Sequence, residues 1–319
     1  MNHLRQRRFG ELQVICGGAN RALAEDIAKE CGVELTKCLV ERFPDGESNV
    51  RVDEDVRGND VFVLQSTCTP VNDHLMDLLL ILDALKRASA GRITAVMPYF
   101  GYARKDRKDE GRVPISAKLV ANMIVAAGAD RVLALELHAA QIQGFFDIPM
   151  DHLYAAPVFV EHFESKGLEA PVIVAPDVGG IKLARAYAKR LGGGLAIVDK
   201  RRVDPRQAEA MHLIGEVKDR DVILMDDMIA TGGTMAEAVR VVKDKGCRRV
   251  ILAATHGVFA GPAVERFRGL PAEEIAVTDS IPQSDAVKEF ATILSAGPLL
   301  GQAIHRIHES LSVSSLFVD

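Results

Sequence analysis

The chain has 319 residues, 48% of them hydrophobic and 26% charged, with a formal net charge of −5. That composition excludes a disordered chain, and the acidic balance argues against a nucleic-acid binder, so any anion site must be local. Five scattered cysteines (Cys16, Cys31, Cys38, Cys68, Cys247) without a C-x-x-C pair point to reduced thiols rather than a disulfide framework or structural zinc.

No run approaches the ~20 apolar residues that a membrane span needs. Glu11 and Gln13 interrupt the apolar stretch that a signal peptide would require after Arg5, Arg7 and Arg8. The expectation is a cytoplasmic protein with no membrane contact.

Short apolar runs at 12–16 (LQVIC), 61–65 (VFVLQ), 93–97 (ITAVM) and 131–137 (RVLALEL) alternate with helical patterns over 71–90 and 114–127. This is the rhythm of a parallel sheet covered by helices. It restarts with VIVAP (172–176), a helix over 179–191, LAIVD (195–199), VILMD (222–226), a helix from 232 and RVILAAT (249–255). The length allows two domains. The pattern predicts an α/β protein of two similar domains, each a mainly parallel sheet flanked by helices, over 1–152 and 153–319.

Two charged segments break the rhythm where connections should be short: KDRKDEGRVP (105–114) and DKRRVDPRQAEA (199–210). Long polar loops inside compact α/β domains are more often functional than accidental, although a solvated surface excursion is the plain competitor.

The most informative stretch is VILMDDMIATGGTMAEAVRVV (222–242). A strand there delivers the adjacent carboxylates of Asp226 and Asp227 to the carboxyl edge of a parallel sheet, where open α/β proteins bind ligands. The turn Ala230-Thr231-Gly232-Gly233-Thr234 then opens a helix, whose backbone N–H groups, hydroxyls and dipole favour an anion. Glycines at 232 and 233 let a backbone approach closely. A phosphate in the turn and sugar hydroxyls on the carboxylates would account for both features. An N-capped helix after an acidic turn is the alternative. Neither a G-x-x-x-x-G-K-[ST] loop nor a G-x-G-x-x-G fingerprint occurs.

The segment resembles the phosphoribosyl-diphosphate (PRPP) loop shared by phosphoribosyltransferases and PRPP synthetases, and by itself leaves both open. ERFPDGESNVRV (41–52), PYFGYARKDRK (98–108) with VPISAKLVANMI (113–124), and ELHAAQIQGFF (136–146) resemble ribose-phosphate pyrophosphokinase of the bacterial type. APDVGG (175–180) and DKRR (199–202) fit the same family. The resemblance runs through almost the whole chain and implies a phosphoribosyltransferase-like fold, with the C-terminal tail packing near the N-terminal domain. It implies transfer of the β,γ-diphosphoryl group of ATP to the 1-hydroxyl of ribose 5-phosphate, giving PRPP and AMP for nucleotide biosynthesis. Mg2+ is the implied cofactor. The rival readings are a phosphoribosyltransferase and a non-catalytic regulatory subunit associated with PRPP synthetase.

Carried over by resemblance, Phe43, Asp45, Gly46 and Glu47 hold ATP together with Arg104 and Lys105. His138 and Asp177 lie by the metal. Lys200 and Arg202 are catalytic, on a mobile loop that closes over the triphosphate. Arg202, Asp226, Asp227, Ala230, Thr231, Gly232, Gly233 and Thr234 bind ribose 5-phosphate. Gln141, Ser312 and Ser314 resemble an intersubunit regulatory anion site, with inorganic phosphate activating and ADP inhibiting. The family implies a homo-oligomer, a hexamer. Three positions depart from its usual pattern: Lys105 stands for Gln, Ala230 for Asp and Gly257 for Pro.

Overall fold

The structure, a computed structural model, describes residues 9–201 and 210–316. These divide into two compact units. The first takes in the chain up to Tyr154, Ser280–Pro282 and the chain from Ala296 on; the second is Ala155–Asp279 with Gln283–Ser295.

The first unit runs β1 (Leu12–Cys16), α1 (Arg21–Glu30), β2 (Leu35–Thr36), β3 (Cys38–Arg42), β4 (Ser48–Val52), β5 (Asp60–Leu64), α2 (Val71–Arg87), β6 (Arg92–Met97), α3 (Ser116–Ala127), β7 (Arg131–Leu135) and β8 (Met150–Leu153). Six strands form a sheet in the order β2-β1-β5-β6-β7-β8, parallel throughout. Every residue of β5 (DVFVL) is buried, because helices cover both faces of a parallel sheet and a one-sided alternation is not needed. On α2, Leu75, Leu78, Ile81, Leu82 and Leu85 recur at three- and four-residue spacing and are buried. They share one core with Ala117, Val120, Ala121 and Ile124 of α3.

The second unit runs α4 (Ala156–Glu164), β9 (Val172–Ala175), α5 (Ile181–Arg190), β10 (Gly194–Arg201), β11 (Ala210–Ile214), β12 (Asp221–Ile229), α6 (Gly233–Asp244), β13 (Arg249–Gly257), α7 (Ala263–Arg268), β14 (Glu274–Thr278), α8 (Asp285–Lys288) and β15 (Thr292–Leu294). Its sheet order is β11-β10-β9-β12-β13-β14-β15, parallel except for the edge strand β11, which pairs antiparallel with β10. The last helix, α9 (Gly297–His308), returns to the first unit. It lies so close to α1 that a Cβ on Gly301 would sit 2.6 Å from Cβ of Glu30. Arg92 donates to the Ile307 carbonyl at 3.1 Å, and His308 Nδ1 lies 2.9 Å from the buried carboxylate of Asp60.

Three boundaries differ from the sequence reading. The strand expected at 222–226 continues to Ile229, paired along its length with β13 as far as Gly257. The strand expected at 131–137 stops at Leu135, because Glu136 adopts a left-handed φ of 42° and turns the chain. The excursion expected over 199–210 is shorter, since β10 continues to Arg201 and β11 begins at Ala210. Among the described residues no helix is long and apolar enough to cross a membrane.

Candidate active site

In the second unit the carboxyl edge of the sheet gathers the acidic residues. Asp226 and Asp227 lie near the C-terminal end of β12, two to three residues before Ile229, both half-buried. The Asp226 carboxylate accepts the backbone N–H of Asp227 at 2.9 Å. Burial, then the negative charge of Asp227, and more weakly that of Asp177, hold the Asp226 carboxyl well above the ordinary carboxylate range. Asp177 follows β9, the neighbour of β12. Its Oδ1 accepts the N–H groups of Gly179 and Gly180 at 2.7 and 3.2 Å, which fixes the side chain at the entry to α5. A crowded, exposed-edge carboxylate set of this kind is stabilised by a cation or by hydroxyl donors.

Immediately beyond β12 the turn 230–234 opens α6. Gly232 is its N-cap, at φ 71°, and no side chain caps the helix, so the first-turn N–H groups lack intrahelical partners and are available to an anion. The N-capped alternative is therefore set aside. The turn is strapped from outside: Val258 and Phe259 donate to the Ile229 carbonyl at 2.9 and 3.0 Å, and Ala260 donates to that of Ala230 at 3.0 Å. Arg266 of α7 donates to the Thr231 carbonyl. Thr231 and Thr234 are exposed.

Gly232 is required for a reason the sequence did not reveal. A Cβ there would lie 2.0 Å from Cε2 of Phe267, so the protein's own ring forbids a side chain, before any ligand does. At Gly233 the nearest neighbour would be Arg266 Nη1 at 3.8 Å, which leaves that position open. The departure at Gly257 also has a local cause: a Cβ would come within 2.7 Å of Phe259 and 3.1 Å of Gln283. Ala230 contributes its backbone.

The backbone of Lys200 lies in β10, paired with Met211, one residue from the strand's end and not just past it as the sequence reading had it. Arg202 lies outside the described residues.

In the first unit, Phe43, Asp45, Gly46 and Glu47 form the exposed tip of the β3–β4 hairpin. Phe43 donates to the Glu47 carbonyl at 2.8 Å, Gly46 donates back to Phe43 at 2.9 Å, and Asp45 Oδ1 accepts the Glu47 N–H at 3.1 Å. Gly46 sits at φ 93°, a left-handed turn position that favours glycine. Arg104 and Lys105 line a depression of about 420 Å³ with Val71, Asn72, Tyr99, Gly101 and Tyr102. Lys105 pairs with Asp109 at 2.7 Å, both half-exposed, so its extra charge is partly engaged within its own loop; an exposed pair of this kind contributes little stability.

His138 is exposed and lies three residues beyond β7, not at a strand end as the sequence reading had it. Gln141 donates to Asp106 at 2.5 Å, next to Lys105. The Ser312 hydroxyl accepts the Ser314 amide at 3.2 Å, and Arg306 donates to the Ser312 carbonyl at 3.0 Å.

The structure thus brings Asp177, Asp226, Asp227 and the 230–234 turn to one sheet edge. Arg266, and Asp77 of α2, which accepts from Arg42 at the base of the hairpin, escaped the sequence reading. Neither lies in a motif, and only spatial packing reveals them.

Among the described residues no group of three or more His, Cys, Asp or Glu side chains has metal-holding geometry. Magnesium commonly binds through one or two carboxylates and completes its shell with water and substrate phosphate. The carboxylates of this edge, with Asp226 destabilised by its neighbours, fit that chemistry.

Residues 12–128 match the N-terminal domain of ribose phosphate pyrophosphokinase, and residues 155–271 match the phosphoribosyl transferase domain. Ribose-phosphate pyrophosphokinase of Rhodopirellula baltica is 52% identical over 311 residues, covering 96% of this chain and 98% of the relative. That of Bacillus caldolyticus is 49% identical over 309 residues, with 96% and 98% covered. The crystal structure of phosphoribosylpyrophosphate synthetase from Mycobacterium smegmatis superposes with a TM-score of 0.89 at 43% identity, covering 94% of this chain and all of that one. With similarity of this extent in both halves, the chain belongs to the ribose-phosphate pyrophosphokinase family.

Proposed function

We propose that this enzyme moves the β,γ-diphosphoryl group of ATP intact to the anomeric hydroxyl of ribose 5-phosphate, forming PRPP and AMP. The observation that carries the reading is the uncapped N-terminus of α6, opened by Gly232 directly after the acidic end of β12. The sugar phosphate sits in the 230–234 turn, where N–H groups and helix dipole meet it. The carboxylates of Asp226 and Asp227 accept hydrogen bonds from the ribose hydroxyls and orient the anomeric oxygen. ATP is held in the first unit by Phe43, Asp45, Gly46 and Glu47 of the hairpin tip and by Arg104 and Lys105.

Transfer of this kind depends on positioning and charge neutralisation rather than on a protein nucleophile. Lys200 and Arg202 supply cations to the group in flight. Magnesium, when bound, neutralises the triphosphate, with Asp177 and His138 as its proposed protein residues. A homo-oligomer, a hexamer, is the proposed assembly, acting in the cytoplasm. Gln141, Ser312 and Ser314 are the proposed response site for activating phosphate and inhibiting ADP.

A phosphoribosyltransferase would use the second unit and leave the hairpin tip and the 101–105 segment without a task. A regulatory subunit would have no need of the acidic edge and anion turn together. Incubation with ATP, ribose 5-phosphate and magnesium should yield AMP only when the sugar phosphate is present. Absence of AMP, with PRPP consumed when a nucleobase is added, would refute the proposal in favour of the transferase.

A further inference from the structure

The hairpin tip is exposed over residues 43–47, and what aims it lies beneath its base. β3 and β4 pair in the register Cys38 with Val52, Val40 with Val50 and Arg42 with Ser48. Side chains alternate across a strand, so these three rungs share one face. Cys38, Val40, Val50 and Val52 pack against the core that includes α2. The third rung, the last before the tip, is polar.

That rung meets Asp77 of α2, which is 3% exposed. Arg42 Nη1 and Nη2 donate to its two carboxylate oxygens at 2.7 and 2.8 Å, and Ser48 Oγ donates to Oδ1 at 2.7 Å. A buried carboxylate is costly unless paired and hydrogen-bonded, and here three donors satisfy it. For stability alone a third apolar rung would serve as well or better. Apolar contact is non-directional, however, whereas a two-point guanidinium–carboxylate pair fixes orientation. The clamp therefore sets the angle at which the tip leaves the helix. The same helix reaches the other proposed nucleotide segment: its first-turn residue Asn72 accepts the Tyr102 hydroxyl and lines the depression beside Arg104 and Lys105.

We propose that Asp77 is a positioning residue for the nucleotide: by holding the Arg42–Ser48 rung it fixes the aim of Phe43, Asp45 and Glu47. The inference rests on the reading of the tip as the ATP-binding element. Asp77 touches no substrate and acts through the hairpin.

The test uses the full-length enzyme with Asp77→Asn, Asp77→Glu, Arg42→Lys and Ser48→Ala, each assayed for AMP formation and, by calorimetry, for ATP binding. Asp77→Asn and Arg42→Lys should raise the KM for ATP about tenfold, the equivalent of 1.4 kcal/mol, with ribose 5-phosphate KM changed by less than about twofold. Asp77→Glu should recover much of the loss, and amide exchange at 43–47 should quicken in the impaired variants. Should Asp77→Asn fail to fold, Arg42→Lys and Ser48→Ala probe the same rung from the hairpin side. A parallel rise in both KM values, or a fall in kcat with ATP affinity unchanged, overturns the proposal. If the unsubstituted enzyme makes no AMP, the functional reading fails separately. ATP affinity across the same variants then decides the role of Asp77, and no ATP binding at all overturns it.

Discussion

The ring of Phe267 occupies the space that a side chain at Gly232 would need, with Cε2 only 2.0 Å from the position of a Cβ. Phe267 is 2% exposed and has little room to withdraw. The 230–234 turn is thus seated on the protein's own core. Gly232→Ala combines a left-handed conformation at φ 71° with an overpacked contact, and should destabilise the protein by about 2–4 kcal/mol. In the fraction that folds, ribose 5-phosphate KM should rise while ATP affinity stays within about twofold. Thermal melts and the two KM values check both parts.

Asp226 and Asp227 carry a pH signature. The carboxyl of Asp226 is pushed up to about 8 by burial first and by Asp227 next. Its folded value therefore exceeds its unfolded one, and its contribution to stability is complete below the ordinary value of 3.8 and is lost as pH rises toward 8. Asp226→Asn should remove that loss. The difference in Tm between Asp226→Asn and the unsubstituted enzyme should widen in favour of the variant from acid to neutral pH, and magnesium should narrow it. A difference independent of pH would contradict the account. Asp226→Asn combined with Asp227→Asn should impair ribose 5-phosphate use far more than ATP binding.

Asp221, at the opposite end of β12, provides the contrasting case. Arg248 donates to its two oxygens at 2.8 Å each and Arg249 at 3.1 and 2.8 Å. Arg248 first, then Arg249, holds this buried carboxyl well below the usual range. The contribution is present above the unfolded value and is lost as pH falls. Asp221→Asn should cost about 2 kcal/mol at neutral pH, a figure kept modest because both arginines are partly hydrated. Neither KM should change. Urea denaturation at pH 7 and in acid measures the effect, which should shrink in acid.

Much of the fold was legible because doubly covered parallel strands such as β5 and β9 read as continuous apolar runs. Helices such as α2 carry an unbroken apolar stripe. The β3–β4 hairpin lacks the continuous apolar run that marks the buried strands: Val40, Val50 and Val52 face the core, and Glu41, Asn49 and Arg51 interrupt them in sequence. The length of β12 escaped because an acidic pair looks like a strand end; pairing with β13 carries the strand through it. The 230–234 turn between strand and helix was readable from its paired glycines. Arg266, Phe267 and Asp77 were not, because their roles arise from contacts 35 residues distant in the chain.

Lys200 is assigned to the transferred group rather than to ground-state binding. Lys200→Ala should leave both substrates bound while lowering turnover by about 3–4 kcal/mol of transition-state stabilisation or more, two to three orders of magnitude. Calorimetric affinities and kcat determined separately distinguish the roles. A loss of ATP affinity in proportion to rate would reassign Lys200 to binding.

The central claim is that two phosphoryl groups leave ATP together. ATP labelled at the β-phosphorus, incubated with ribose 5-phosphate and magnesium, tests it most directly. The account predicts label in the diphosphate of the sugar product, with one unlabelled AMP released per labelled PRPP. Label recovered in ADP, formed stoichiometrically and dependent on ribose 5-phosphate, would contradict it.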